Sequence, residues 1–378
     1  MKKTTITLCI ICILVSGCAD KNYLEKMSIV TGIAYDKGEE NLLRGTLSIL
    51  QFDPASPNIS HIITGENDTT KGIRIHADRE ASHEIVMGQL RVVLYSTALA
   101  ENGLLSLTDT LARDPNITDL LYLTIAKGEA GKLLQPESTE GAPTPGNYIQ
   151  RLIEKNVANE QLPESNLHKF NHDLYDIGID PVLPLLDIEE EKTKVYSVAL
   201  FQDDRMVTAL DPDMIFYLLL LKNPYRKGKL QLSLDAEDFK DYIREESYEE
   251  NKDTPLDIAL QQIRSSSTFH SRKGEPAKQT VRISLKQRLL ESTLQLHFQD
   301  EQLIKKLEQA IEEEVKEKLE EFMEILKDHE TDPIGFGKRY RSAHGKNLLN
   351  DEEWRSRIKD LDVTFEVNVE LQRYGIID

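Results

Sequence analysis

Four clusters of side chains in this 378-residue sequence have types and spacings that could do chemistry. His168 and His172 stand four apart and are followed by Asp173 and Asp176, so a helix would bring two imidazoles and a carboxylate together as a metal ion requires. No HExxH signature accompanies them, and the polar surroundings read as an exposed helix face. Asp332-Pro333-Ile334-Gly335-Phe336-Gly337-Lys338 holds two glycines and a lysine, the ingredients of a phosphate loop. Its spacing is not that of such a loop, and it follows a helical pattern instead of opening one, so a structural turn is expected. Ser265-Ser266-Ser267 with His270 offers a nucleophile and a base, but no GxSxG elbow frames them and the run reads as linker. Asp203-Asp204 falls in a turn pattern, where solvation accounts for adjacent carboxylates. No catalytic constellation, metal site or cofactor site is expected from these residues.

The cysteines point elsewhere. Only Cys9, Cys12 and Cys18 occur, all near the start. Lys2 and Lys3 precede an apolar run from Ile6 to Val15, which has about half the roughly 20 residues of a membrane span and reads as a signal peptide over residues 1–17. Leu14-Val15-Ser16-Gly17-Cys18 matches the bacterial lipobox: small residues ahead of a cysteine whose thiol takes a diacylglyceryl group. Cleavage would make Cys18 the lipidated amino terminus, leaving no thiol for a disulfide or a nucleophile. The rest of the chain would sit outside the membrane as a tethered body.

Charge narrows the partners. The net charge is -19 and falls to -21 when Lys2 and Lys3 leave. Such a surface does not attract nucleic acid, and anionic headgroups repel it. With 39% hydrophobic residues the chain can bury a core and is not disordered.

The elements that position these residues follow from periodicity. Strands are expected at Met27 to Tyr35, Arg44 to Phe52 and Leu120 to Ala126, with turn chemistry at Asp53 to Pro57. Helices are expected from near Asp78 through Leu90, from Thr97 to Leu111 and from Tyr148 to Val157, giving an α+β layer structure. The Pro-rich and Gly-rich stretch Gln135 to Gly146 reads as a surface loop. The charged run Asp187 to Lys192 marks a boundary, so an N-terminal α/β domain is placed at 18–190. A small β-rich domain at 191–270 contains the hairpin Val195 to Phe201 with Met206 to Leu210, and the strand of Leu230, Leu232 and Leu234. Between them Met214 to Leu221 reads as a buried helix, capped by Asp211 with Pro212 at its first position.

A C-terminal domain is placed at 271–378, with its first strand after the polar stretch Ser265 to Lys278. Val281, Ile283 and Leu285 alternate there, as do Leu294, Leu296 and Phe298. A long amphipathic helix follows, with Ile304, Leu307, Ile311, Val315, Leu319, Phe322 and Leu326 on one stripe and Asp300 as cap. Glu and Lys on the other face offer pairs such as Glu312 with Lys316. Val363, Phe365, Val367, Val369 and Leu371 supply a strand for that stripe to pack on, so the helix is expected on an antiparallel sheet.

The sequence resembles the Ger(x)C lipoproteins, the C subunits of the nutrient germinant receptors of bacterial endospores. The resemblance runs from Cys18 nearly to the end and lies in the order and spacing of several pieces. These are Ile29-Val30-Thr31-Gly32-Ile33-Ala34-Tyr35-Asp36, Gln89 to Val93, Leu111 to Pro115, Ala126 to Ala130, Val198 to Val207, Asp332 to Gly337 and Tyr374-Gly375-Ile376-Ile377. The family commonly has Trp-Asp after the cysteine and a Glu soon after; here Ala19 replaces the Trp, Asp20 remains and Tyr23 stands at the Glu position. Thr208 stands where a Gly is usual.

The resemblance implies three mixed α/β domains in an elongated arrangement, and a non-enzymatic subunit needed for the spore's response to nutrients. It also implies a lipid anchor on the outer face of the spore's inner membrane and two integral membrane subunits as partners. A solute-binding lipoprotein of an importer is the alternative. That reading predicts two similar lobes of parallel βαβ units around a cleft, and the alternation in the last third argues against it.

Overall fold

The computed structural model describes residues 24–52, 59–135, 142–222, 224–244, 247 and 254–372. Nine strands form the first sheet: β1 (Met27–Lys37), β2 (Leu43–Gln51), β3 (Ser60–Asn67), β4 (Glu84–Val86), β5 (Val92–Ser96), β6 (Tyr122–Ala126), β7 (Val182–Glu189), β8 (Lys192–Gln202) and β9 (Arg205–Ala209). Their order is β3-β2-β1-β5-β6-β7-β8-β9, with β4 beside the start of β1. Strands β1, β5, β6 and β7 run parallel, and antiparallel pairs close both sides.

The parallel centre is covered on both faces, which is why its strands read as nearly unbroken apolar runs. On one face Val93 and Tyr95 of β5 meet helices α1 (Thr70–Glu80), α2 (Thr97–Asn102) and α3 (Leu105–Ala112), which contribute Ile73, Ala77, Ala100 and Leu111 to that core. On the other face Val92 and Leu94 meet Ile149 and Ile153 of α4 (Pro145–Ala158). Helix α5 (Leu167–Tyr175) adds Phe170 to the first of these cores. Thr69, Thr144 and Asn166 each accept a backbone N–H from the first turn of α1, α4 and α5.

Two expected helices are corrected here. The helix expected from Asp78 through Leu90 ends at Glu80, and Glu84–Val86 instead pairs parallel with β1. The helix expected from Thr97 to Leu111 breaks in two at Gly103, whose φ of 110 is closed to most side chains.

The second sheet has the order β10 (Lys229–Leu234), β11 (Leu256–Arg272), β12 (Glu275–Ser292) and β13 (Asp362–Gln372). Helix α6 (Ile215–Lys222) leads into it and is buried almost all round. It starts through a single 3-10 turn at Pro212–Met214, and the Asp211 side chain makes no cap. Helix α7 (Glu301–Asp328) is the expected amphipathic helix. Leu307, Ile311, Val315, Leu319, Phe322 and Leu326 are buried in one core with Val281, Ile283, Leu285, Phe365 and Val369 of the sheet, and Asp300 accepts the Gln302 N–H at 2.8 Å. Helices α8 (Phe336–His344) and α9 (Asp351–Arg355) follow before the chain returns to the sheet.

The return strand β13 pairs parallel with β12, so only β10 to β12 are antiparallel. A chain that crosses back through helices enters beside its own sheet in the same direction, and that connection decides the pairing. The polar run Ser265 to Lys278 is not linker but the far end of the β11–β12 hairpin, turning at Lys273 and Gly274. Leu294 and Leu296 are buried outside any strand, with Leu296 bridging to Ile243. Glu312, expected to pair with Lys316, accepts the backbone N–H of Val369 at 2.8 Å instead, and Glu308 does the same for Leu371. The segments assigned to a middle unit divide between the two sheets: β8 and β9 belong to the first, β10 and β11 to the second. Among the described residues no helix is long and apolar enough to cross a membrane.

Helix α4 enters so close to β1 that a Cβ on Gly146 would lie 2.7 Å from the backbone N of Gly32. Because backbone cannot yield as a flexible side chain can, Gly146→Ala should cost about 1–3 kcal/mol. The cost should show as a lower urea midpoint with an unchanged slope. An unaltered midpoint would mean that the approach of α4 to β1 is looser than described.

Candidate functional site at the junction of the two sheets

Strand β8 feeds both halves of the molecule. Its side chains alternate, so Ala199 and Phe201 enter the first sheet's core while Val198 and Leu200 enter the core shared with α6, α7 and the second sheet. Two buried carboxylates and one arginine meet where the halves join. Asp180, just before β7, has no exposed side-chain surface and receives both ends of the Arg355 guanidinium, each at 2.7 Å. This is the paired fork geometry that favours arginine over lysine. Arg355 also reaches Asp203 at 2.6 Å, and the Asp203 N–H donates to Asp180 at 3.0 Å. Burial works against the charge of Arg355, but the hydrogen bonds and charge of Asp180, with Asp203 and Asp351, outweigh it and hold its proton more firmly than that of a free guanidinium.

Asp332 completes the junction. Its N–H donates to Asp180 at 2.6 Å, and its carbonyl accepts the Asp180 N–H at 2.8 Å. Its own carboxylate accepts the N–H groups of Gly335, Phe336 and Gly337 at 2.7, 3.0 and 3.0 Å. The glycine-bearing loop therefore does open a helix, α8, and does form an anion cradle; the anion is the chain's own carboxylate. That occupancy removes the loop from any role in holding a phosphate. Burial pushes the Asp332 carboxyl up to about 6, against the pull of those three donors.

Close backbone contact surrounds the cradle. A Cβ on Gly178, where φ is 83, would lie 2.5 Å from the Lys338 N, and one on Gly337 would lie 2.6 Å from the buried Trp354 ring. Lys222 at the end of α6 donates to the Pro333 carbonyl at 2.6 Å, and burial lowers its ammonium to about 8. The Arg339 guanidinium lies 4.0 Å over the Phe269 ring and donates to the carbonyls of Leu221 and Lys222. Hydrogen bonds and charge here hold two bodies in one relative position.

The other sequence clusters fare differently. His168 and His172 share the exposed face of α5 with their rings 6.3 Å apart, along an open groove of about 530 Å³ that also includes Asp119 and Tyr175. The carboxylates beside them are already engaged: Asp173 accepts from Lys169 and His172, and Asp176 faces Lys338 and Arg341. Among the described residues no group of three or more metal-ligating side chains gathers. Ser265 accepts the Tyr225 N–H and Ser267 donates to the Leu220 carbonyl, so both hydroxyls serve the backbone and not His270. Asp203 and Asp204 were expected to be merely solvated. Instead Asp203 joins Arg355, and Asp204 accepts the Leu105 N–H at 2.9 Å at the start of α3. Cys18 and Tyr374 to Ile377 lie outside the described residues.

Sequence reasoning missed Asp180 and Arg355. A lone Asp before Pro181 and a lone Arg in a charged stretch carry no local pattern, and 175 residues separate them. Only the Asp332 to Lys338 stretch gave a signal.

Two family models match the chain: the spore germination protein N-terminal domain over residues 20–188, and the spore germination B3/GerAC-like C-terminal domain over residues 197–375. Spore germination protein GerQC of Bacillus cereus is 24% identical over 376 residues, covering all of both chains. The putative spore germination protein YfkR of Bacillus subtilis (strain 168) is 23% identical, covering 99% of this chain and 98% of its own. The crystal structure of the GerBC protein is similar in fold, with a TM-score of 0.53 at 16% identity, covering 93% of this chain and all of that one.

Two measurements test the junction. Asp180→Ala takes the paired hydrogen bonds from a guanidinium that is mostly removed from water and leaves it the exposed Asp203, so it should cost up to about 3–5 kcal/mol in chemical denaturation; a loss below about 1 kcal/mol would reduce the pair to a surface contact. The second test is pH dependence. Because the folded Asp332 binds its proton more tightly than the unfolded one, its contribution to stability is complete below about pH 4 and is lost as pH rises through about 6. The stability of the native chain minus that of Asp332→Asn should therefore decline between pH 4 and 6. A difference that is flat or rises across that window contradicts the assignment.

Proposed function

The chain belongs to the GerAC-like family of spore germination proteins, and from that premise we propose that it is the lipid-anchored, non-enzymatic C subunit of a nutrient germinant receptor. The observation that carries the reading is the placement of the family matches: they begin at residue 20, two positions after the lipobox Cys18, and continue to residue 375. A family member whose matched body starts directly behind a lipobox reads as a tethered body. Each buried lipid methylene contributes about 0.8 kcal/mol, so the chains of a diacylglyceryl group anchor stably where one chain binds only reversibly.

In this reading the protein sits on the outer face of the spore's inner membrane beside two integral membrane subunits. It acts by binding and coupling, not by turnover. Tethering raises its effective concentration at those partners without new contacts, and the junction of Asp180, Arg355 and Asp332 keeps its two halves in one orientation so that force or displacement at one is felt at the other. The expected consequence of deleting the gene is that spores lose their response to one class of nutrient while growing cells are unaffected. Mass spectrometry of the mature protein should find acyl groups on Cys18, and Cys18→Ala should release the protein from membranes and reproduce the deletion. An unmodified terminus, or a Cys18→Ala protein that stays in place and works, overturns the anchor.

A further inference from the structure

The rim of the first sheet at which β1 begins carries an unassigned feature. Ser28 of β1 lies opposite Gln51 of β2, and the Gln51 N–H donates to the Ile59 carbonyl at 2.9 Å just before β3. The starts of β1 and β3 and the end of β2 therefore sit side by side. Three large apolar side chains are exposed there: Leu24 at 48%, Phe52 at 39% and Ile59 at 38%. The opposite rim of the same strands presents Lys37, Glu39, Glu40 and Asp68. Exposed apolar residues scattered singly need no explanation, but three grouped at one end of three adjacent strands do.

We propose that this rim is a second membrane contact, with Leu24, Phe52 and Ile59 seated in the interfacial layer of the bilayer that holds the Cys18 lipid. The inference rests on the anchor reading above and goes beyond it by orienting the body. Cys18 precedes Leu24 by six positions, a reach of at most about 20 Å even when fully extended. The tether therefore keeps this rim, and not the opposite one, at the bilayer. The contact is apolar: Lys26 and Glu84 bring no positive excess to the rim, and the chain as a whole is acidic. A zwitterionic lipid surface fits it, whereas recruitment by anionic headgroups does not.

The cysteine content makes the test clean. With Cys9 and Cys12 removed and Cys18 acylated, Ile59→Cys supplies a single free thiol for an environment-sensitive fluorophore. In the full lipidated protein on phosphatidylcholine vesicles, that label should shift to the blue. Nitroxide-bearing lipid should quench it at least twofold more than the same label at Asp68→Cys, with no effect of added salt. Phe52→Cys gives a second position should the first variant fold poorly. Protein that floats with the vesicles while labels on the two rims are quenched alike overturns the rim contact and leaves the anchor standing. Protein that does not float overturns both.

Discussion

The position of the two sheets depends on one buried carboxylate. Asp180 has no exposed side-chain surface, so its charge must be met inside the protein, and the groups that meet it come from both halves. The Asp203 N–H comes from the first sheet, while the Asp332 N–H and the Arg355 guanidinium come from the helical crossover of the second. Removing any of them leaves a charge or a donor without water. Such an interaction adds little net stability over a well-packed apolar contact, but it accepts only one geometry. Apolar packing between α6, α7 and β8 supplies adhesion, and the carboxylate supplies orientation.

Legibility in the sequence followed the range of the interactions. The α7 stripe, the alternation of β12 and β13, and the apolar run of α6 were readable because each is set by burial of a face within one element. The direction of β13 was not, because alternation is the same for parallel and antiparallel neighbours and the crossover decides it. The polar β11–β12 tip read as linker for a related reason. A hairpin with a wet face carries few of the apolar residues that announce a strand. Gly103 split an expected helix through a backbone angle, and Glu308 and Glu312 left the pattern of helix-surface pairs to cover N–H groups on the free edge of β13.

The candidate site was half legible. The Asp332 to Lys338 stretch stood out as an anion-binding composition, and that chemistry is present, turned inward. What could not be read was the occupant, because a carboxylate three residues ahead of the cradle is indistinguishable in sequence from an ordinary turn aspartate. Asp203 shows the same limit. Its turn position was evident, but its partner lies 152 positions away on α9. Long-range polar pairing leaves no period, so the residues that orient the halves were less visible than those that fill them.

The proposed coupling role needs a body that does not dissipate a displacement in internal rearrangement. A mixed sheet continuous from β3 to β9, with β8 shared between two cores, resists shear between the halves because sliding would pull Val198 and Leu200 out of one core or Ala199 and Phe201 out of the other. The buried Asp180 resists rotation, because bidentate pairing tolerates little change in angle. Stiffness thus lies in the shared strand and in the junction. For a proposed coupling subunit, that stiffness would convert a partner's movement at one end into movement of the whole body.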